Sequence, residues 1–532
     1  MKTNYLKLVN TIIFLALFIQ ANAQNVEIQQ GKEYKAKNRS FINTIMYKDL
    51  NSMMAIRSFP QLIGNTNYSV EMFNNNLNLI SNKDIELPDR DLNIERFIYS
   101  NNQAYIFTSR YDKDKGINSL YGSTLDKNGK INDNYYELAN VEADKKREIN
   151  FFDITLSADS TKFLVTIVPH QKKDDQAQLA FLVFDLEFKE LDNFMVELPF
   201  EAKRFEMNEY LLDKDRNVHI LGNVQIKEEG KNRIFQANIE REARVFSFYK
   251  DSDELVEYKL AFDNSKEDET YLNEIRLGID KLGRLQLTGF YSEKKGAFMK
   301  GVFNSTIDIE KKKAINIKSQ VFTDEFLNQF LTDRQIKSKQ RKKDKNKDSR
   351  FDHLNNYKIR EIVFKEDGGF YLVAEYYFYY VVMQTSTNGI TTTTEHYIYG
   401  DIMAINVKED NSIDWFARIP KFQHTTNDRG RYSGIAKAVD SKNTLQIIFN
   451  EHKKNANIID PERKRNAVGK KTITVLVSIE ESTKTTKTPL MPAKDGKTII
   501  TPKGHYQVSS NELILEATTG NKSKFINLKF EN

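Results

Sequence analysis

Cysteine is absent from this 532-residue chain. Its absence excludes disulfide bonds, thiol nucleophiles, cysteine-ligated zinc or iron–sulfur sites, and a lipid anchor on an N-terminal cysteine. Histidine is scarce, with seven residues, and the sequence has no HExxH, nucleophile-elbow or phosphate-binding glycine motif. We therefore predict no cofactor and no resident metal. Paired carboxylates for glycoside cleavage need no local motif, so this chemistry stays open.

Long apolar runs are confined to the N-terminus. Lys2 and Lys7 precede the apolar stretch 8–19, and the small residues Ala21 and Ala23 come just before Gln24. This stretch is short for a membrane span, and signal peptidase accepts small residues at such positions. We predict that residues 1–23 are a signal peptide; an uncleaved anchor is the alternative. No later stretch approaches the roughly 20 apolar residues of a span, so we expect no transmembrane segment after cleavage.

The chain also lacks a strong net charge. Its formal charge is +5, and residues 336–350 alone hold eight basic against two acidic side chains, so the rest is close to neutral. A single basic patch does not predict a nucleic-acid partner. Abundant Lys, Asn, Ile, Phe and Tyr with one Trp is typical of a bacterial protein from an AT-rich genome. Together with the signal peptide, this predicts an exported protein of a Gram-negative envelope: periplasmic, cell-surface or secreted.

A repeat organises most of the chain. Seven times an apolar segment enters a tight polar turn and a second apolar segment follows, 55 to 85 residues apart. The first apolar residues after these turns are Tyr105, Phe163, Val218, Leu285, Phe370, Leu445 and Leu513. A second hairpin lies between consecutive members of the set, for example 120–138, so each repeat supplies four antiparallel strands.

Four-stranded repeats of this size predict an all-β fold, a β-propeller. We count six complete blades and a seventh built from both chain ends, with closure by pairing of the N- and C-terminal segments. Six or eight blades are the alternatives, because the second hairpin of the third blade is irregular. We assign residues 24–65 to an N-terminal arm and residues 66–532 to the propeller. Ile42, Ile45, Met46, Leu50 and Met53 fall at helical spacing, so the arm could hold a short helix.

Two stretches carry a narrower resemblance. Residues 413–434 (IDWFARIPKFQHTTNDRGRYSG) and 448–455 (IFNEHKKN) resemble an uncharacterised family of exported envelope propellers. The whole pattern resembles secreted bacterial β-propellers. The resemblance implies the fold and brings no activity with it.

Insertions cluster on one predicted face. In a propeller, the loops between second and third strands share a face with the connections between blades. The long insertions fall in these two classes: residues 171–178, 322–357, 381–395, 421–432 and 451–471. Loops that vary on a regular scaffold are the usual place for binding residues. We therefore expect function on this face, although neutral loop drift would explain the same pattern.

One insertion is a protruding, Tyr-rich hairpin over residues 376–399. Asn388-Gly389 at its centre predicts a tight type I′ turn. Tyr379, Tyr380 and Tyr397 are candidate contact residues near its tip. Another insertion, 322–357, begins with Thr323-Asp324-Glu325, which predicts one short helix. We interpret the Lys-rich run that follows it as a solvated, mobile linker; attraction to an anionic lipid or glycan is the alternative.

Polar residues begin two of the long loops. They are candidates for a converging binding pocket or a weak metal site, whereas turn capping by Asn and Asp would explain most of them without function. These residues are Lys421, Gln423, Asn427, Asp428, Asn450, Glu451 and His452. Trp415 alternates with Ile413 and Ala417, which predicts a place in the core between blades.

These observations predict a non-enzymatic binding or assembly module of the bacterial cell envelope. Its partner would be an envelope protein or glycan, bound through the loop-rich face. The alternative is a carbohydrate-active enzyme with carboxylates in the central funnel. An enzyme should have an acidic hollow near the axis, and a binding module should have an exposed aromatic ridge away from it.

Removal of the signal peptide is directly testable. When the full-length chain is expressed in a Gram-negative host, we expect the exported protein to begin at Gln24, because Ala21 and Ala23 precede that residue. Intact-mass and N-terminal peptide analysis of the periplasmic fraction measures this. A protein that keeps residues 1–23 and stays with the membrane would contradict the prediction.

Overall fold

The computed structural model describes residues 26–37, 39–60, 66–143, 152–227, 240–258, 271–292, 298–345, 347, 353–389, 391–460, 463–490, 498–520 and 522–530. The predicted signal peptide lies outside these residues. Within them, eight antiparallel sheets of at least four strands follow one another along the chain, together with one two-stranded sheet. This is the predicted all-β propeller, and we call the eight sheets blades 1 to 8.

The strands are numbered in chain order. The N-terminal strands are β1 (Val26–Gln30) and β2 (Tyr34–Lys35). Blade 1 holds β3 (Phe41–Lys48), β4 (Ser52–Phe59), β5 (Asn67–Asn74) and β6 (Leu79–Asp84). Blade 2 holds β7 (Asn93–Ser100), β8 (Gln103–Asp112), β9 (Ile117–Leu125) and β10 (Tyr136–Glu142). Blade 3 holds β11 (Phe152–Leu156), β12 (Lys162–Ile167), β13 (Gln176–Asp185) and β14 (Glu190–Glu201). Blade 4 holds β15 (Phe205–Leu212), β16 (Val218–Lys227), β17 (Glu240–Tyr249) and β18 (Glu254–Tyr258).

The second half of the chain repeats the arrangement. Blade 5 holds β19 (Tyr271–Ile279), β20 (Leu285–Ser292), β22 (Gly301–Asp308) and β23 (Lys313–Val321). The two-stranded sheet pairs β21 (Phe298–Met299) with β24 (Leu354–Asn355). Blade 6 holds β25 (Tyr357–Phe364), β26 (Phe370–Thr385), β27 (Thr391–Val407), β28 (Ile413–Ile419) and β29 (Gln423–Thr426). Blade 7 holds β30 (Ala436–Val439), β31 (Leu445–His452), β32 (Thr472–Ile479) and β33 (Thr485–Pro489). Blade 8 holds β34 (Thr498–Ile500), β35 (Tyr506–Ser509), β36 (Glu512–Thr519) and β37 (Lys522–Phe530), to which β1 and β2 add.

The described residues form eight apolar core clusters, each shared by two consecutive blades. One of them joins Met53 and Phe73 of blade 1 to Ile514 and Phe525 of blade 8. Both faces of every blade are thereby covered, because each blade packs on the one before and the one after it. Trp415 lies in the cluster between blades 6 and 7, as the alternation around it predicts.

The predicted arm is wrong, since β3 to β6 form a complete first blade and the boundary at residue 66 falls inside it. The apparent helical spacing has a physical cause. The pairing of β3 with β4 shifts register after Ile42 and again after Ile45, and each bulge adds one residue to the strand. Buried residues therefore fall at Ile42, Ile45 and Met46 rather than at every second position. This missed blade accounts for the difference between seven predicted blades and eight sheets.

Both chain ends share blade 8. Strand β1 pairs antiparallel with β37 along its whole length, from Val26 opposite Phe530 to Gln30 opposite Ile526. The first strand of this blade is divided, because β34 and β35 both pair with β36. The N-terminal segment thus completes a sheet whose other strands come from the C-terminus.

Three blades share a side-chain motif at the turn between their first and second strands. In blade 7, Asp440 Oδ1 accepts bonds from the Lys442 and Thr444 amides, and Asp440 Oδ2 accepts a bond from Gln446 Nε2 at 2.8 Å. Gln446 Oε1 in turn accepts a bond from Ser478 Oγ on the third strand. Asp280, Gln286 and Thr306 repeat this in blade 5. We call the motif the turn clasp.

Blade 4 has the same clasp with histidine in place of glutamine. His219 Nδ1 lies 2.6 Å from Ser247 Oγ, and His219 Nε2 lies 3.3 Å from Asp213 Oδ2. Burial alone would raise the pKa of Asp213, but the hydrogen bonds from His219 and Asn217 hold that pKa below its usual value. The row of Ser, His and Asp resembles a hydrolase triad in composition only. His219 and Ser247 are fully buried, and glutamine takes the histidine's place in two blades, so the row is structural.

The turn clasp predicts a clear difference between two substitutions. Asp440→Ala removes two backbone caps and the partner of Gln446, so we expect a loss of about 2 to 3 kcal/mol of unfolding free energy. His219→Gln keeps a side chain that blades 5 and 7 already use, and we expect a loss below about 1 kcal/mol. Urea unfolding midpoints of the two variants and the parent protein measure this. A loss below about 1 kcal/mol in Asp440→Ala would show that the clasp does not stabilise its turn.

Candidate functional site

Four of the five predicted insertions meet on blade 6. Insertion 322–357 contains helix α1 (Asp324–Asn328) and helix α2 (Asp333–Lys343). The Asn466 side chain exchanges two hydrogen bonds with the His424 backbone, and these bonds join insertions 451–471 and 421–432. Glu395 of the hairpin exchanges two further bonds with Asn427. We call this assembly the insertion cluster. Residues 171–178 lie apart from it, in blade 3.

The Lys-rich run is helical rather than a mobile linker over residues 333–343. Thr332 and Gln335 form a capping box at its start, which fixes the N-terminus of α2. Lys339 is buried and donates to Asp324 Oδ1 at 2.8 Å and to Asn328, so it ties α2 to α1. The other basic side chains of α2 are exposed. The insertion therefore places a basic helix at the edge of the insertion cluster.

The hairpin projects because its strands are long. Strands β26 and β27 have 16 and 17 residues, whereas no other described strand exceeds 12. Beyond the blade, Phe378, Tyr379, Val381 and Met383 are exposed, Met383 to 72%. The predicted type I′ turn is wrong, since Gly389 has a φ of +76° while Asn388 keeps a negative φ. The tip is a wider loop in which Gly389 N donates to Ser386 O.

Tyr379 and Tyr397 form a fixed pair on this hairpin. Their rings are 5.1 Å apart, and both hydroxyls donate to Glu395, Tyr397 at 2.7 Å and Tyr379 at 3.2 Å. The bond to the Glu395 carboxylate, with burial, raises the pKa of Tyr397 to about 12. Asn427 Oδ1 accepts a hydrogen bond from the Glu395 amide, so the loop that contains Asn427 fixes the residue to which both tyrosines are bonded. Tyr379 and Tyr397, two of the candidate contact residues, are thus both fixed by Glu395.

Tyr380 lies on the opposite face of the hairpin. Its ring stacks on His396 with centroids 4.4 Å apart and an interplanar angle of 3°. His396 Nδ1 lies 2.9 Å from His424 Nε2, which belongs to β29. Strand β29 pairs with β27 from His396 to Tyr399 and covers that edge of the hairpin. Tyr380 is therefore half-buried and stabilises the base of the hairpin.

Lys421, Gln423 and Asn450 lie together, but they are buried and bonded to one another. Lys421 Nζ lies 2.7 Å from Glu375 Oε1 and 2.9 Å from Gln423 Oε1. Gln423 Nε2 donates to Asn450 O, and Asn450 Nδ2 donates to the carbonyls of Tyr432 and Ile500. Burial lowers the pKa of Lys421 against the opposing effect of Glu375. Their hydrogen bonds and ion pair join blades 6, 7 and 8, so these side chains already have protein partners.

The remaining candidates have local structural roles. Asp428 accepts bonds from Thr425 Oγ1 and the Gly430 amide within its own loop. Glu451 pairs with Lys487 at 2.9 Å, and both are buried. His452 Nδ1 accepts from the Lys454 amide, and burial together with Arg465 lowers the pKa of His452. Among the described residues, no group of three His, Cys, Asp or Glu side chains could hold a metal ion.

Three carboxylates of first strands near the propeller axis have a donor on a neighbouring blade, whereas Glu95 of blade 2 accepts a bond from Ser109 of its own blade and burial raises its pKa. The first strands of neighbouring blades contact one another around this axis. Glu274 of blade 5 lies 2.7 Å from Lys358 of blade 6, and Glu361 of blade 6 pairs with Lys437 of blade 7. Glu209 of blade 4 accepts a bond from the Leu277 amide. These three carboxylates link neighbouring blades.

The insertion cluster contains a cavity that the sequence did not indicate. It has a volume of about 570 Å³ and lies between α1, the base of the hairpin and the loop around Lys464. Asp401 and Arg418 border it, and Asp401 accepts bonds from Arg418 and Lys464. The one signal in the sequence is Asp401 itself, a charge within the apolar run 397–405. A volume in this range is typical of small-ligand sites.

Comparisons with known proteins assign no activity to the chain. Neither a protein-family model nor a curated protein matches the chain. Among solved structures, the WD40 domain of SCAP from fission yeast is similar, with 9% identity, TM-score 0.37 and coverage of 96% of this chain and 99% of that one. The β-propeller domain of the Trilobed protease from Pyrococcus furiosus covers 73% of this chain and 97% of its own, with 12% identity and TM-score 0.32.

A third similar structure is an oligogalacturonate lyase in complex with manganese. It has 8% identity and TM-score 0.35, and the match covers 95% of this chain and 91% of that one. The similar structures thus include WD40 domains and enzymes, and likeness at this level assigns neither role. No helix in the described part of the chain is both long and apolar enough to cross a membrane.

The buried pair of Lys421 and Glu375 predicts non-additive substitutions. Lys421→Met removes one ion-pair partner of the buried Glu375 and leaves Arg360 paired with it, so we expect a loss of about 3 kcal/mol of unfolding free energy. Lys421→Met with Glu375→Gln removes both charges and should be more stable than Lys421→Met alone. Urea unfolding of the two single variants and the double variant measures the coupling. Strictly additive losses would show that the pair does not interact.

Proposed function

We propose that the protein is a non-enzymatic binding or assembly module of the bacterial cell envelope. It contacts a protein or glycan partner through the insertion cluster, led by the hairpin 376–399. The observation that carries this proposal is the exposed apolar ridge of Tyr379, Val381 and Met383, with Phe378 exposed on the opposite face of the hairpin. Exposed apolar residues grouped at the end of a projecting element are typical of interaction sites.

The rigidity of the hairpin supports the proposal. Glu395 fixes Tyr379 and Tyr397, Asn427 fixes Glu395, and β29 pairs with the edge of β27. A ridge that is ordered before binding loses less conformational entropy when a partner docks. Tyrosine at such a position offers a large contact area together with a polar hydroxyl. The exposed basic residues of α2, on the same cluster, favour a partner with negative charge.

Two further observations bear on the proposal. The axial carboxylates Glu209, Glu274 and Glu361 are engaged by neighbouring blades, which disfavours these three as the acid or base of a carbohydrate-active enzyme in the funnel. The envelope location rests on the sequence of residues 1–23, where a charged start, an apolar stretch and small residues follow in the order of a signal peptide.

A shortened hairpin tests the proposal. Replacing residues 382–394 by Asn-Gly closes the hairpin between Val381 and Glu395, which face each other across the strands. This keeps Glu395 and its bonds to Tyr379, Tyr397 and Asn427, so the propeller should fold unchanged. We expect the mature parent protein to retain a partner from envelope extract. The shortened variant loses Met383 and the tip but keeps Tyr379 and Val381, and we expect it to retain about tenfold less partner, as when one hot-spot side chain is removed.

A point variant and a matched control sharpen the test. Tyr379→Ser with Met383→Ser removes two ridge side chains and should weaken retention. Leu50→Ser with Leu282→Ser removes two side chains of 89% and 60% exposure from turns between first and second strands, on the opposite face, and should not. Surface plasmon resonance with the purified partner gives the affinities. Equal retention by all variants would exclude the hairpin as the contact element.

A further inference from the structure

The cavity of the insertion cluster is built by segments that the propeller scaffold does not need. Helix α1 contributes Leu327, the following turn contributes Phe330 and Leu331, and insertion 451–471 contributes Lys464. Blade 6 itself supplies the floor from its first three strands, including Tyr357 and Tyr376. Insertion 421–432 adds Lys421 and Phe422, so segments from three insertions border an open cavity of about 570 Å³. The exposed ridge of the hairpin lies outside it.

The walls of the cavity are mainly aromatic and aliphatic. Tyr376 reaches the cavity because the pairing of β26 with β27 shifts register between Glu375 and Tyr377, and such a bulge turns one side chain away from its regular direction. Gly400 leaves room for this ring, since a Cβ there would lie 2.8 Å from Tyr376 Cδ1. Tyr376 also meets Tyr357 edge to face at 6.1 Å. These walls fit an apolar ligand body.

One end of the cavity is charged and carries an excess of positive charge. Asp401 is buried and accepts bonds from Lys464 Nζ at 2.9 Å, from Arg418 Nη2 at 3.2 Å and from the Lys421 amide. Two cations therefore face a single carboxylate. Arg418 lies over the Phe330 ring at 4.7 Å, and Lys464 lies over the same ring at 5.4 Å. Phe330 thus brings both cations to the edge of the cavity.

Arg418 has unused hydrogen-bonding capacity. Its side chain is more than nine-tenths buried, Nη1 donates to Phe326 O, and Nη2 donates to Asp401. Its Nε is buried with no hydrogen-bond partner among the described residues. The guanidinium also has a side-chain hydrogen bond with Tyr357, which borders the cavity. A buried guanidinium donor without a partner costs free energy, and a ligand anion that reached Nε would lower this cost. The eleven residues of α2 add further positive charge beside the opening.

We propose that this cavity is a binding site for a small amphipathic carboxylate. The apolar body of the ligand occupies the space between Phe330, Leu331 and Tyr376, and its carboxylate is held by Lys464 and Arg418. The volume suits a single medium-length acyl chain or an aromatic acid. This site is separate from the partner contact proposed for the hairpin, and either can exist without the other.

Calorimetry with matched probes tests the site. Decanoate and decan-1-ol have the same apolar chain and differ in charge. We expect decanoate to bind the mature protein at one site and decan-1-ol to bind at least about tenfold more weakly, because the alcohol cannot pair with Lys464 and Arg418. Lys464→Met keeps the aliphatic stem and removes the charge, and should weaken decanoate binding about tenfold.

Two further variants separate the cavity from the surrounding surface. Leu331→Trp fills the space and should abolish binding; Leu331→Phe, a smaller change, should weaken it if the tryptophan variant does not fold. Lys453→Met removes an exposed lysine from the same insertion and should bind like the parent. The variant with the shortened hairpin should also bind decanoate normally, even where it loses its partner.

Three results would overturn the proposal. The first is the absence of saturable decanoate binding to the parent protein. The second is undiminished binding by folded Leu331→Trp or Leu331→Phe, which would place the ligand elsewhere. The third is equal affinity for decanoate and decan-1-ol, or no effect of Lys464→Met, which would exclude recognition of the carboxylate.

Discussion

A blade of this protein is apolar on both faces, and the rest of the structure depends on covering both. Strand β26 shows this directly: Tyr371 and Val373 belong to the cluster shared with blade 7, while Phe370, Leu372 and Ala374 belong to the cluster shared with blade 5. Because a strand points alternate residues to opposite faces, each blade needs a neighbour on either side. The cluster between blades 8 and 1 meets the same need where the chain begins and ends.

Blade 6 is where this arrangement changes. Its second and third strands run beyond the neighbouring blades, so residues there lose the cover that Tyr371 and Leu372 have. Insertions replace part of it: β29 pairs with the edge of β27, and Phe326 of α1 packs against Phe416. Where this replacement is incomplete, the structure leaves the exposed ridge around Tyr379 on one side and the cavity beside Tyr376 on the other.

Buried ion pairs join strands of blades 6, 7, 8 and 1 to one another and to the loop that holds Lys421. Glu375, Glu451 and Glu516 lie in the second strands of blades 6, 7 and 8, and each pairs with a buried base: Lys421, Lys487 and Arg57 respectively. Arg57 also pairs with Glu71, so it joins blade 8 to blade 1. Such pairs add little to stability because desolvation offsets their attraction, but removing one partner is costly. They therefore fix geometry, which is what a preformed binding face requires.

The sequence by itself determined the class of fold and the face that carries insertions. Tyr105, Phe163, Val218, Leu285, Phe370, Leu445 and Leu513 all lie in second strands, because alternation between tight turns is a local property that one chain segment displays alone. The same locality explains the failures. Two bulges in β3 gave its buried residues a spacing that resembles a helix. The Asn388-Gly389 turn is instead a wider loop. Both depend on the register with the partner strand, which a single segment does not show.

Only the tertiary structure decided which polar residues are free to act. Lys421, Gln423 and Asn450 stand out in the sequence as a candidate pocket, yet they are buried and satisfied by groups from three blades. No sequence motif indicates Arg418 or Lys464, yet both donate hydrogen bonds to Asp401 beside a cavity. Whether a charge is buried, paired or open to a ligand depends on segments far apart in the chain, so no local pattern reveals it.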